Sequence, residues 1–333
     1  MSNSLLRLAC TGAVATLLFC PVLAEAAQKL RIAGNYPANH SSTIAMNQFA
    51  EDVKQGTNGE ITIDVFPAMQ LGGPAENVDQ VLSGTIFLTW LSTAYLTKHV
   101  PAFEAVGLPF LFNTREAAFK VIDGRLGQEF NKRLQAKNLT VLGYMELGFR
   151  NVTNNVRPIL KLEDFKGLKI RSQPSEIHLA AFRALGANAF PMDWKEVYSA
   201  LQQGVMDGQE NPWPIISNAR LFEVQKYVSN TRHLFDFTVV VANRRAYDAL
   251  TPAHRTVIDG TIKKAVAKQR ALAAEADEKA LADLVKNKMQ YDEIPAAELQ
   301  RIQAAVSGVA ESVRKRAGAD ILDMALTDAR KGL

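Results

Sequence analysis

The chain has 333 residues, 47% hydrophobic and 22% charged, with 20 Gly and 13 Pro, a composition that excludes a disordered, collagen-like or coiled-coil chain. At roughly 150 residues per domain the length points to about two domains, each able to bury its own core. The formal net charge is +4 with Lys and Arg dispersed along the chain; without a basic stripe no nucleic-acid partner is expected, and a pI near 8.9 bears on solubility alone.

Residues 1–26 read as a cleaved secretory signal peptide. Arg7 supplies a positive start, Leu8 to Val22 an apolar stretch, and Ala24-Glu25-Ala26 an A-x-A cleavage site. Pro21 and Glu25 cut the apolar run short of the about 20 residues that a membrane span needs. Phe19 stands before Cys20, where a lipoprotein would carry a small residue. Cys10 and Cys20, the only cysteines, both fall in this segment. The expected mature chain therefore has no disulfide, thiol nucleophile or Cys-ligated metal, and its core alone must hold it together. A soluble exported protein is expected, with a bacterial periplasm the simplest compartment.

In chain order, Lys29–Ala33 and Ile61–Phe66 carry strand patterns around a helix over Ser42–Lys54, with Ser41 or Ser42 as N-cap and Gly56 near its end. A helix over Ala75–Leu82 and a strand over Thr85–Leu91 follow. Next come a helical stretch over Arg115–Lys137, broken near Gly124, and a strand over Leu139–Leu147. The alternation resumes with Leu168–Ser172 (strand), Glu176–Leu185 and Trp194–Gln203 (helices) and Val205–Gly208 (strand). Phe237–Ala242 is another strand. Arg245–Met289 is nearly all helix formers, with a new helix starting at Thr251 as cap and Pro252 in first position. A short strand, Gln290–Ile294, leads into a C-terminal helical region. Such βα alternation predicts an α/β fold around largely parallel sheets. The lack of a flexible linker predicts two lobes between which the chain crosses more than once.

Catalytic motifs are missing. His40, His99, His178, His233 and His254 show no zinc-ligand spacing, and there is no serine nucleophile elbow and no phosphate loop. Leu71-Gly72-Gly73-Pro74 reads as turn chemistry. Neither a metal site nor a cofactor is expected.

Two stretches carry the most information. In Asp164–Arg171 a loop with Gly167 feeds a strand in which Leu168 and Ile170 alternate with Lys169 and Arg171. Arg171 thus falls at the carboxyl end of a strand, where open α/β sheets place their ligands. In Glu196–Pro212 a helix ends at Gly204, and a short strand delivers Glu210 and Asn211 to a second strand end.

These motifs, with Arg31–Val53, Phe66–Gly73 and Gly107–Phe110, resemble the solute-binding proteins of tripartite ATP-independent periplasmic (TRAP) transporters, the DctP family, over nearly all of the expected mature chain. The resemblance implies a two-lobed α/β periplasmic binding protein of type II-like architecture, with mixed sheets flanked by helices and a long helix and hinge strands linking the lobes. Lobe I would comprise residues 27–147 and 237–276, and lobe II residues 148–236 and 277–333. The implied protein is a monomeric receptor, not an enzyme, that closes on a small organic acid and delivers it to a small and a large integral-membrane subunit.

The resemblance also assigns residues. Arg171 would grip the carboxylate in a two-pronged salt bridge, for which the planar guanidinium is suited, and Arg150 would stand near the anion. Asn211 would add an amide hydrogen bond, and Asn35, with Tyr36, would reach in from the other lobe. Trp194, Trp213, Trp90, Ser92, Gln173 and Glu210 complete the candidate ligand-binding set. Phe87 stands where the family often has Asp, and Pro74, Ser92 and Tyr95 occupy positions of polar contacts in the sialic-acid branch. A smaller, less polar acid than a nine-carbon sugar acid is therefore expected. The rival readings are a binding protein of another transport or sensor system and an exported hydrolase, for which no nucleophile–base pair is apparent.

Overall fold

The computed structural model describes residues 27–332, so the expected signal peptide lies outside the described residues. A first parallel block consists of β1 (Gln28–Gly34), α1 (Ser41–Gly56), β2 (Ile61–Phe66), α2 (Pro74–Ser83) and β3 (Leu88–Ser92), with β1 between β2 and β3. Two 3-10 segments, Thr93–Leu96 and Pro101–Gly107, then α3 (Arg115–Ile122) and α4 (Arg125–Gln135), lead into β4 (Leu139–Asn154). The second parallel block is β5 (Lys169–Ser172), α5 (Glu176–Ala184), β6 (Asn188–Pro191), α6 (Trp194–Gln202) and β7 (Gly208–Pro212), with β5 in the middle. After α7 (Trp213–Asn218) come β8 (Tyr227–Asn243), α8 (Arg244–Asp248), α9 (Pro252–Lys286) and β9 (Gln290–Asp292). The chain continues through α10 (Ala296–Val306), α11 (Ala310–Ala317) and α12 (Ala319–Gly332).

A ribbon joins the blocks. β4 and β8, 16 and 17 residues long, pair antiparallel and make one sheet of order β2-β1-β3-β8-β4-β7-β5-β6, with β9 beside β8. The first half of β4 thus runs with the first block and its second half with β7 of the other. Midway the register slips, between Glu146 and Gly148 and again between Arg150 and Val152. Gly148 sits at φ +117, a backbone state that side chains rarely adopt. Such bulges bend and twist a strand pair where it would otherwise run straight.

Four apolar clusters flank the sheet: those around Phe103, Phe130 and Phe237 and around Phe49, Trp90 and Ile258 serve the first block. The clusters around Phe165 and Phe182, and around Leu201, Ile216 and Leu284, serve the second. Helix α1 shows why its segment folds so, burying Ala45, Met46, Phe49, Ala50 and Val53 on one stripe. Its N-cap is His40 rather than Ser41 or Ser42: the ring Nδ1 accepts the Ser42 N–H at 3.2 Å. The α9 start follows expectation, with Thr251 accepting the His254 N–H at 3.1 Å and Pro252 in the first turn.

Two expectations are corrected. Val205 and Met206 are not strand: after Gly204 their N–H groups bond back to the Ala200 carbonyl and close α6, so β7 begins at Gly208. The C-terminal tail also lies elsewhere than expected. Val313, Ala317, Ile321, Leu322 and Ala325 share a core with Phe103 and Phe130, so α11 and α12 pack with the segment expected as lobe I, not lobe II.

One buried side chain stitches the slipped ribbon to the helices. Gln269 of α9, fully buried, accepts the Glu146 N–H at 2.8 Å and donates to the Glu146 carbonyl at 2.8 Å and to Ser41 Oγ at 3.0 Å. It thereby satisfies both backbone groups of Glu146 where the ladder is irregular. Gln269→Met, nearly isosteric, strands these groups, and unsatisfied buried groups cost about 1–3 kcal/mol each. Chemical denaturation of the unliganded protein is expected to show a loss of about 2–4 kcal/mol; a variant as stable as the wild type would contradict this role.

Candidate ligand-binding site

The carboxyl ends of β1, β3, β5 and β7 face one another across the ribbon. They border a small cavity lined by Asn35, Tyr36, Pro74, Ser92, Tyr95, Leu147, Arg171, Gln173, Trp194, Asn211 and Ile215. Parallel blocks expose loops and unpaired backbone groups at those ends, so ligand sites collect there. Of the larger hollows on the surface, those beside Tyr144 and Arg270 and beside Phe110 and Arg330 hold none of the expected site residues, and one beside Pro37 and Lys195 shares Asn35 and Trp194 with the cavity.

Arg171 dominates the cavity. It is 1% exposed. Its Nε and Nη2 donate to the Met192 carbonyl at 3.0 and 2.7 Å, and Nη2 donates to the Tyr95 hydroxyl at 3.2 Å. The Trp194 ring centre lies 5.7 Å from its Cζ. Among the described residues no carboxylate pairs with Arg171, and its Nη1 makes no hydrogen bond to protein. A buried guanidinium held in place but left without a countercharge is costly by itself.

The amides around it are oriented by chains of hydrogen bonds. Gln80 donates to the Leu71 carbonyl at 2.8 Å, which turns its Oε1 toward Asn77 Nδ2; the Asn77 Oδ1 then accepts from Asn35 Nδ2 at 3.2 Å. Asn35 Oδ1 is thereby left as a buried acceptor without a protein donor, and Gln173 Oε1 is another. On the facing side, Gln225 donates to the Val224 carbonyl at 2.9 Å, takes the Thr153 hydroxyl at 2.7 Å, and Thr153 takes Gln209 Nε2 at 2.9 Å. Gln209 in turn accepts from Asn211 Nδ2, which turns Asn211 so that its Oδ1 is the free end. Tyr36 shares a 3.2 Å hydrogen bond with Thr238 and stacks on His40 with ring centres 4.5 Å apart.

Arg150 has a different situation. It is fully buried, and Glu210 clamps it through Nε and through Nη2, the latter at 3.0 Å, while Nη1 meets Asp236 at 2.9 Å. Ser92 donates to the same Asp236 at 2.8 Å, and Ser172 and the His233 ring lie 3.3 Å from Glu210. Burial alone would push Glu210 up; the Arg150 guanidinium and His233 hold it well below the usual carboxylate range. Burial pushes Asp236 up despite Arg150 and Ser92.

The comparisons with known proteins decide the family. The model of the bacterial extracellular solute-binding proteins, family 7 (DctP), matches residues 32–316. The chain belongs to this family. The 2,3-diketo-L-gulonate-binding periplasmic protein YiaO of Escherichia coli is 35% identical over 254 residues, covering 76% of this chain and 77% of that one. Among solved structures, the sugar acid binding protein DctPAm of Advenella mimigardefordensis, in complex with galactonate, is 31% identical with a TM-score of 0.90, over 92% of this chain and 99% of that one. A TRAP periplasmic solute-binding protein of Polaromonas, bound to D-erythronate, is 33% identical with a TM-score of 0.85, over 90% and 98% of the two chains. The two-lobed α/β architecture of TRAP receptors and the relation to transport of organic acids follow from these matches.

The DctP-family chain thus brings Asn35, Tyr36, Ser92, Arg171, Gln173, Trp194 and Asn211 together on the cavity wall. Arg150 and Glu210 do not line it, because each is the other's partner. Trp90 is fully buried in the core with Phe49, and Trp213 packs edge-on to Tyr291, ring centres 6.4 Å apart; neither reaches the cavity. Ser92 reaches it but gives its proton to Asp236. The wall residues outside the candidate set are Leu147 and Ile215, which read as ordinary core positions, and Pro74 and Tyr95, which the sequence marked only as positions of polar contacts in the sialic-acid branch.

Two buried histidines beside this site set an acid limit. Burial pushes His178 and the α1 cap His40 each down to about 3. Both are neutral in the fold, whereas the unfolded chain takes up protons below about 6.5. Their stabilisation is therefore present above pH 6.5 and is lost as the pH falls toward 3, by up to about 1.4 kcal/mol per pH unit per histidine. Denaturation between pH 7 and 5 is expected to show this slope, reduced in the variant His40→Asn with His178→Gln, where Asn keeps a capping oxygen. An equal slope in wild type and variant would contradict the assignment.

Proposed function

We propose that this protein is the periplasmic solute receptor of a TRAP transporter, taking a small hydroxylated monocarboxylate between its lobes and handing it to the membrane subunits. The single observation behind the reading is the buried Arg171 guanidinium, oriented by Met192 and Tyr95 but lacking a carboxylate. The ligand's carboxylate takes Nη1, because both N–H groups of Nη2 are already given to Met192 and Tyr95. The Tyr95 hydroxyl, which accepts from Nη2, has its own proton left to donate to the same anion. Charge-assisted pairs of this kind are the strong ones. Arg150 supports the floor of the site instead of touching the ligand.

The polar wall refines the ligand class. Asn35 Oδ1 and Gln173 Oε1 lack donors, and hydroxyl groups on the acid supply them. This argues against the less polar acid expected from the sequence. The cargoes named for the relatives above, diketogulonate, galactonate and erythronate, are all hydroxylated monocarboxylates, in keeping with that wall. Contacts from both blocks favour the closed form, since a ligand shifts the equilibrium only by binding one state better. We also assign a monomer, exported and freed of its signal peptide, that binds without turnover.

A thermal-shift screen over hydroxylated acids identifies the cargo, because a ligand bound only by the folded form raises the melting temperature. For the acid found, Arg171→Ala is expected to weaken binding by about 10²-fold or more, the equivalent of roughly 3 kcal/mol for stranding a buried charge. Calorimetry giving the same Kd for variant and wild type would remove Arg171 from this role.

A further inference from the structure

The two sides of the cleft also touch just outside the cavity. Asp193 is the N-cap of α6, its Oδ1 accepting the Lys195 N–H at 3.1 Å, and its Oδ2 reaches across to the Ala75 N–H at the start of α2, 3.4 Å away. Lys195 pairs with Glu76 in the first turn of α2. Gly73, the N-cap of α2, marks the tightest point: a Cβ there would stand 2.4 Å from Asp193 Oδ1. Its φ of −72° and ψ of 174° are open to any residue. The approach of Asp193, not the backbone, is what excludes a side chain.

Asp193 directly follows Met192, whose carbonyl takes two hydrogen bonds from Arg171. We propose that this contact is the closing latch of the cleft and that Arg171 works it. The guanidinium that receives the carboxylate also fixes the Met192 carbonyl, and with it the turn that seats Asp193 against the N-terminus of α2. The positive end of α2 suits that carboxylate, and the Lys195–Glu76 pair adds a second link beside it. Neither link exists when the sides part, so both weigh only on the closed state, which is how a remote contact alters ligand affinity. Asp193 and Gly73 are positioning residues in this account; neither touches the acid. The inference rests on the receptor reading above.

Gly73→Ala tests it, because the added methyl collides with Asp193 only on closure and leaves the open form unstrained. The companion variant is Asp193→Ser, which keeps a capping oxygen for α6 but withdraws the carboxylate from α2. The probes are D-erythronate, D-galactonate and 2,3-diketo-L-gulonate, with Kd from calorimetry and compaction from small-angle X-ray scattering. Gly73→Ala is expected to weaken binding by about tenfold and to reduce compaction at equal acid concentration. In the Asp193→Ser background the same substitution is expected to change Kd by no more than about twofold, since the collision is gone. A wild-type Kd in Gly73→Ala, or the same penalty in both backgrounds, overturns the latch. If none of the probes binds or compacts the wild type, it is the receptor reading that fails, and the latch falls with it.

Discussion

A positive charge taken out of water without a negative partner is the constraint on which this structure turns. Two arginines are fully or almost fully buried near the middle of the molecule, and they differ in one respect. Arg150 is covered by Glu210 and Asp236, so its charge is already matched inside the protein. Arg171 has only a carbonyl and a phenol to hold it, at 2.7 to 3.2 Å. Neutral acceptors orient a guanidinium but do not neutralise it. The first arginine belongs to the framework, and the second is the one proposed to receive an anion from outside.

The framework follows from how the sheet is made. Two parallel blocks, each of three strands, have their carboxyl ends turned toward the same space because the antiparallel ribbon of β4 and β8 reverses direction between them. The ribbon carries the polar cluster of Arg150, His233 and Asp236 at its slipped centre. Here every partner is present, and a fully satisfied network specifies one arrangement of the strands it links. Gln269 does the same for the backbone of Glu146 from the helix side. The centre of the molecule is thus a polar hinge region between apolar clusters.

Much of this was legible in the residues, for physical reasons. β1 and α1 carry alternating or helical patterns because Leu30 and Ile32 of the strand and one stripe of the helix are buried. Arg171 was legible because the alternation of Leu168 and Ile170 with basic residues runs straight into a strand end. The ribbon was legible only in part: Phe237–Ala242 is apolar and reads as strand, but Tyr227–Asp236 carries the residues of the polar cluster and hides its strand character. β6 is hard to read because Asn188–Pro191 is short, exposed except at Ala189, and ends in proline. The contrast between Arg150 and Arg171 could not be read at all, because Glu210 and Asp236 lie 60 and 86 residues away from Arg150 in the chain. His40 was overlooked as a cap because two serines stood beside it, and those serines instead take bonds from Gln269.

The most direct measurement is a crystal structure of the protein with the acid it retains through purification or with the acid that the thermal screen selects. The account predicts the carboxylate oxygens within about 3 Å of Arg171 Nη1 and the Tyr95 hydroxyl, hydroxyl groups on Asn35 and Gln173, and Arg150 still clamped by Glu210 and Asp236. A carboxylate held by any other cation, with Arg171 turned onto a protein carboxylate or out to solvent, would contradict it.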